Sequence, residues 1–312
     1  MRSLLLPVLL LALALPPLSV AGEADDAADW FARMRQAVHG TDYEGRFVYQ
    51  VGEQLDGMYV VHRVRDGHEL ERLVALDGEP KQVIRGQQGV ACLEPRSRHI
   101  SVVGNRAGIL DRNAPDFAHL RKFYEFVLLG PVRAAGRQAR RLEIRPRDHL
   151  RFGYRIDLDE ATALPLRSVM LERDGCVRSQ TLFVDLKTGR HVTPIEMGIS
   201  ALELTRMPPR AGEAAEAAPL VDWQFRGLPA GFRLITQGSV GEGAQHYVFT
   251  DGLASVSLYI EPSHDKEPVL NGFSRIGATE AFGMVRDGYQ LVAVGEVPRA
   301  TLRQIANTPE PR

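Results

Sequence analysis

Turn residues punctuate the first two thirds of this chain every eight to twelve positions, and that spacing limits what it can fold into. Gly52, Asp56-Gly57, Asp66-Gly67, Asp77-Gly78-Glu79-Pro80 and Gly86 separate short apolar runs at 43–51, 58–64, 69–76, 81–85, 89–93 and 98–103. Asp159-Glu160-Ala161-Thr162 and Asp174-Gly175 divide further runs at 138–145, 153–158, 166–173 and 179–186. Runs this short leave room for strands and little else, so an antiparallel meander is expected. Two stretches read as helices instead. Trp30, Phe31, Met34 and Val38 recur at helical spacing over 27–38 and stop at Gly40. Phe117, Leu120, Phe123, Tyr124, Val127 and Leu128 read as a second amphipathic face, ending at Gly130-Pro131. The expectation is one large curved sheet, its concave face plugged by helices around a hydrophobic space.

The pattern breaks at 207–219, where Pro, Gly, Ala and Glu dominate without apolar periodicity. Residues 206–220 therefore read as a linker between a domain over 22–205 and a second over 221–312. The second has candidate strands at 232–237, 246–250, 254–261, 273–278, 281–286 and 289–295. Pro298 opens a terminal helix with Leu302 and Ile305 facing inward. Asp251-Gly252 suits a tight hairpin turn. After it, Val256, Leu258 and Ile260 alternate with Ser255, Ser257, Tyr259 and Glu261, giving one buried and one wet face. Many short strands with few helices give an expected fold class of α+β.

The N-terminus carries Met1-Arg2-Ser3, an apolar run over 4–15, two prolines and Ser19-Val20-Ala21. That is a signal peptide over 1–21 with cleavage expected after Ala21, too short and Pro-interrupted to span a bilayer. A soluble, periplasmic protein is expected. The formal net charge of −1 gives no case for nucleic acid. Charge is uneven, however. Ten basic residues lie between Arg121 and Arg155, with Glu125, Glu143 and Asp148 opposing them in that window. This stretch reads either as a solvated face or as an anion-binding surface. Two cysteines, Cys92 and Cys176, sit in strand-like runs; a disulfide between them and two free buried thiols are both compatible with an exported chain.

Catalytic signatures are absent. The sequence has no GxSxG elbow, phosphate-binding loop, dinucleotide fingerprint or HExxH, and its nine histidines are scattered. Acidic residues fall mostly at turns, where local geometry explains them. No catalytic residue, metal ligand or cofactor is assigned, and the chain is not expected to be an enzyme.

Several motifs, in order and spacing, resemble the RseB/MucB family of envelope-stress regulators. They are Tyr43-Glu44-Gly45-Arg46-Phe47-Val48-Tyr49, Leu76-Asp77-Gly78 with Val83-Ile84-Arg85, Phe123-Tyr124-Glu125-Phe126 and Gly136-Arg137. Leu164-Pro165-Leu166-Arg167, Leu228-Pro229-Ala230-Gly231-Phe232, the run from Gln245 to Glu261, and Val294-Gly295-Glu296-Val297-Pro298 continue the match. The resemblance implies a LolA/LolB-like lipid-sensing first domain, a half-open antiparallel β-barrel with plugging helices, and a smaller α/β second domain that binds the anti-sigma factor. It also implies binding to the periplasmic part of a single-span anti-sigma factor of the RseA/MucA type. That binding would shield the partner from site-1 proteolysis until lipopolysaccharide or another acyl-chain lipid releases it. On this reading Phe123, Phe126, Arg137, Arg140 and Arg141 are candidate lipid contacts. Tyr247, Asp251, Leu253, Ser255, Ser257 and Tyr259 are candidate partner contacts, with the strand after Asp251 open to an extended peptide, and a homodimer is possible. The rival is a lipid or lipoprotein carrier of the LolA/LolB type, to which the second domain would be superfluous.

Overall fold

The computed structural model describes residues 20–86, 89–93, 100–103, 117–192, 221–240, 243–263 and 270–312. The segment expected to be a linker lies outside them, as do residues 1–19. The first helix, α1 (Val20–Gly40), buries Phe31, Met34 and Val38 of the expected face, leaves Trp30 half-buried against the core and buries Ala27 as well. Six strands follow: β1 (Tyr43–Val51), β2 (Gln54–Arg65), β3 (His68–Ala75), β4 (Gln82–Gly86), β5 (Gly89–Leu93) and β6 (Ile100–Val103). After the short helix α2 (Phe117–Leu120) come β7 (Tyr124–Ala134), β8 (Arg137–Pro146), β9 (Gly153–Asp159), β10 (Pro165–Leu171) and β11 (Val177–Thr188).

These form one eleven-stranded antiparallel sheet, in the order β6-β5-β4-β3-β2-β1-β11-β10-β9-β8-β7. Strands paired in space are consecutive in sequence except at β1–β11, where the chain's two halves are stitched together over eight paired residues. The outermost strands do not pair with each other, so the barrel stays open. One core joins α1 to both halves through Tyr43, Val60, Leu142, Ile144, Ile156 and Leu166, among others.

One expected helix is a strand. Only Phe117–Leu120 is helical, and 124–134 is β7, where Tyr124 and Phe126 are buried and Glu125 is exposed. Eight of the twelve residues over 117–128 are apolar, enough to satisfy both a 3.6 and a broken 2.0 period. Pairing with β8 decides in favour of the strand, with a register shift between Leu128 and Pro131 that absorbs the proline.

The second region has a six-stranded antiparallel sheet of β13 (Arg233–Val240), β14 (Ala244–Thr250), β15 (Ser255–Pro262), β16 (Gly272–Ile276), β17 (Thr279–Arg286) and β18 (Tyr289–Gly295), ordered β13-β14-β15-β18-β17-β16. A two-stranded ribbon pairs β12 (Trp223–Phe225) with β19 (Pro309–Pro311). The last helix, α3 (Arg299–Ala306), buries Leu302 and Ile305 against Val256, Leu258, Ile260, Leu291 and Ala293. The expected α/β character is therefore corrected: this domain is mostly β, with one eight-residue helix.

Candidate functional site

Two features of the fold bear on function: a cavity in the large sheet, and the seam between the sheets. The cavity, of about 260 Å³, lies beside α1 and is walled chiefly by Tyr43, Phe47, Val60, Leu73, Leu166 and Phe183. The Phe47 and Phe183 rings meet at 5.5 Å across β1 and β11. On β1, β3 and β11 the pairs Tyr43 and Phe47, Glu71 and Leu73, and Thr181 and Phe183 are an even number of residues apart, so the strand period aims each pair to one side, while β10 lines the space with the consecutive residues Pro165 to Ser168. Such a space accepts a slender apolar chain and excludes a bulky one, being below the usual volume of drug-sized ligand sites.

None of the five residues expected to hold lipid lines this cavity. Phe126 packs in the core, 5.1 Å from Phe31 and 4.6 Å from Phe117. Phe123 lies in the seam described below. Arg137 donates to Asp159 at 3.2 Å and to the Leu186 carbonyl, Arg140 to Glu160 at 3.2 Å, and Arg141 forms a fork on Asp157 at 2.7 and 3.0 Å. Arg145 and Arg155 both meet Glu143, whose carboxyl burial would raise; their hydrogen bonds instead hold it below its ordinary range. The basic stretch is thus largely neutralised. Its counter-charges, Asp157, Asp159 and Glu160, follow just after the window in sequence and come back beside it because β8 pairs with β9, setting Arg141 opposite Asp157.

The seam is built on Asp251. Its carboxylate accepts the Leu253 and Ala254 amides on one oxygen, at 2.9 and 2.8 Å, which closes the β14–β15 turn. Gly252 supplies the left-handed residue that turn needs, at φ 106°. The other oxygen leaves the domain. It accepts the Tyr124 hydroxyl at 2.8 Å and Arg151 Nε at 2.6 Å, with both ion-pair side chains 0% exposed. Burial, with the Asp251 charge beside it, pushes the Tyr124 phenol well above its usual range, so it stays a donor. Arg151 also donates to Asp148 and to the Ala230 carbonyl, and its guanidinium lies 4.7 Å from the Phe123 ring centre and 5.3 Å from that of Phe232. Leu253, at the hairpin tip, is buried in the first domain's core rather than its own.

A second arginine fastens the other side of the seam. Arg178 on β11 donates to the Ala278 carbonyl at 3.0 and 2.9 Å and to Glu280 at 3.0 Å, while Arg299 binds the same carboxylate at 3.0 Å. Thr301 on α3 donates to the Leu150 carbonyl at 2.6 Å.

The residues expected to contact a partner lie in different surroundings. Asp251 and Leu253 are buried between the domains and Tyr247 in the second core, so none is presented on the surface. Ser255 is tied to Thr250 at 3.3 Å. Ser257 and Tyr259 are half-buried on the outward face, where Tyr259 stacks on His246 at 4.5 Å. β15 is paired on both sides, with β14 and β18, so it has no edge to offer an extended peptide. Cys176 is an exposed free thiol in the β10–β11 turn rather than a strand residue, and the Cys92 side chain lies outside the description. Among the described residues no cluster of His, Cys, Asp and Glu could hold a metal.

Both domains match family models in order: the MucB/RseB N-terminal domain over residues 26–209 and the MucB/RseB C-terminal domain over 217–310. The chain belongs to the MucB/RseB family. Its relatives include the sigma factor AlgU regulatory protein MucB of Pseudomonas aeruginosa, 31% identical over 306 residues that cover 92% of this chain and 91% of the relative. The sigma-E factor regulatory protein RseB of Haemophilus influenzae is 28% identical over 281 residues, 88% of this chain and 87% of that one. In structure, the chain is similar to MucB in the Pseudomonas aeruginosa MucA/MucB complex, with TM-score 0.68 and 30% identity over 92% of this chain and 99% of that one. MucB/RseB proteins are regulatory binding proteins, not enzymes, in keeping with the lack of catalytic motifs. Family membership also covers the second domain, which a carrier would not need.

The cavity and the Arg151 seam were not legible as sites in the sequence. Arg151 looks like one more member of a basic run, and nothing local distinguishes it. The one signal was Asp251-Gly252-Leu253, where a large aliphatic residue sits directly in a tight turn.

Proposed function

We propose that this protein is a periplasmic regulator that binds the periplasmic domain of a membrane anti-sigma factor, shields it from site-1 proteolysis and is released by an acyl-chain lipid or lipopolysaccharide. The observation that carries this reading is the match to both MucB/RseB domains in order along the chain. The cavity walled by Phe47, Phe183 and Leu73 among others supports the lipid half of the proposal, its volume being on the scale of a slender chain. The signal peptide expected over 1–21 supports the compartment.

A pull-down tests the partner. The mature protein is exposed to periplasmic fragments of single-span membrane proteins from the same organism. One fragment is expected to be captured and then protected from its site-1 protease, and an acyl-chain amphiphile is expected to reverse that protection. Capture of no such fragment, or capture without protection, overturns the reading.

A further inference from the structure

One strand of the small sheet stands out by its exposure. All seven residues from Arg233 to Ser239 on β13 are exposed, and β13 pairs only with β14, so its other edge carries backbone donors and acceptors that no described strand meets. Native sheets blunt such edges with proline, charge, bulges or a covering element. β7, the edge of the large sheet, has Pro131, a register shift and α1 packed on it. β16, the opposite edge of the small sheet, is five residues long, carries Arg275 and is partly buried over Gly272–Ser274. β13 has one charge, at its first position, then Leu-Ile-Thr-Gln-Gly-Ser-Val. Its Leu234 and Ile235 are 38% and 39% exposed. A bulge at Ile235 interrupts its ladder with β14, leaving a straight run over Thr236–Ser239.

We infer that the β13 edge is a docking strand, to which an extended, largely uncharged segment of the partner protein adds as a seventh strand of the small sheet. Backbone groups in a row select an extended backbone as their complement. The absence of charge beyond Arg233 selects against an acidic or basic segment. Leu234 and Ile235 offer aliphatic contacts for the incoming strand's own aliphatic residues. A second copy of this chain fits less well. The straight run is Thr-Gln-Gly-Ser, so self-pairing within it yields no apolar cross-strand pair. The inference rests on the proposed function for the identity of the partner, but not for the nature of the edge.

The test uses the mature full chain and the fragment captured by the pull-down. Gly238 has a negative-φ or extended backbone and open space where a Cβ would go, so Gly238→Lys sets a charge on the edge without a clash. It is expected to weaken fragment binding by about tenfold or more while the thermal melt stays put. Thr236→Lys serves as a second variant, and Ser274→Lys on β16 as a control expected to bind like wild type. Hydrogen exchange of the amides over 233–239 should slow when the fragment is saturating, and affinity should change little between low and high salt. Wild-type binding by both β13 variants, or unchanged exchange over 233–239 in the complex, overturns the inference and leaves the proposed function standing. Concentration-dependent dimerisation lost in Gly238→Lys would assign the edge to a second copy and overturn it as well. If no fragment binds, the inference falls together with the proposed function.

Discussion

Asp251 concentrates more of this structure than any other residue. One carboxylate closes its own turn and holds two groups of the other domain, and all of this is shielded from water. A buried ion pair gains little over a well-packed apolar pair, but half of one is costly. Asp251→Ala is therefore expected to destabilise the protein by about 3–5 kcal/mol, because Arg151 is left charged and buried. Tyr124→Phe should cost about 1 kcal/mol, the loss of one hydrogen bond. The double variant Arg151→Met/Asp251→Leu should recover much of the single-variant loss. Urea midpoints for the set decide this, and a double variant as unstable as the sum of both singles refutes it. At this scale the sequence showed the turn and hid its purpose. Asp251-Gly252 was readable because an Asp side chain caps nearby amides and glycine takes a positive φ. Tyr124 and Arg151 lie more than a hundred and a full hundred residues away, and no local rule reaches that far.

Strands were legible where alternation and turn residues agreed, as at Tyr43–Val51 and Tyr289–Gly295. The helix expected through 117–128 failed because a short run of apolar residues carries two periods, and only the partner strand chooses. The same limit hid the partners of the basic stretch. Counting charge within 121–155 cannot see that β9 returns Asp157 and Asp159 beside β8. The cavity is instead a property of five strands. Val60→Phe should fill it, at a cost of about 1–3 kcal/mol from overpacking, and reduce binding of a single-chain acyl probe. Arg140→Glu/Arg141→Glu should leave that binding near wild type. Fluorescence titration of a labelled acyl probe against both variants decides it, and the opposite order of effects returns the site to the arginines. The loop before β13 is equally constrained. Gly231 sits at φ 88° with the Phe123 ring 2.6 Å from where a Cβ would be. Gly231→Ala should lower the melting temperature by several degrees for that reason alone.

The molecule as a whole is two cored sheets held by charged groups that cross between them. Glu280 shows how acid acts on that arrangement. Burial alone would raise its carboxyl, yet hydrogen bonds from Arg178 and Arg299 hold it below the ordinary range. A carboxyl depressed in the folded state stabilises fully above its unfolded value and loses that contribution as pH falls through the folded one. The contribution of Glu280 should therefore be level from neutral pH down to about 5 and be lost below it, as its carboxylate is protonated. Glu280→Gln should start lower at neutral pH and fall less on acidification. Thermal melts across that range check this, and parallel curves for variant and wild type would remove Glu280 from the account.

The seam also sets terms for anyone who wishes to study the halves separately. Cutting the chain near Met207 to ask what the first domain does alone removes Asp251 from Arg151 and lifts Leu253 out of a core it helps to fill. The fragment then carries a guanidinium that keeps Asp148 but has lost Asp251 and the Ala230 carbonyl, with a hole beside it, and a loss of partner protection would reflect that wound as readily as a missing binding surface. A fair excision would carry its own repair: Arg151→Met to quiet the charge, and a larger side chain in the core to stand where Leu253 stood.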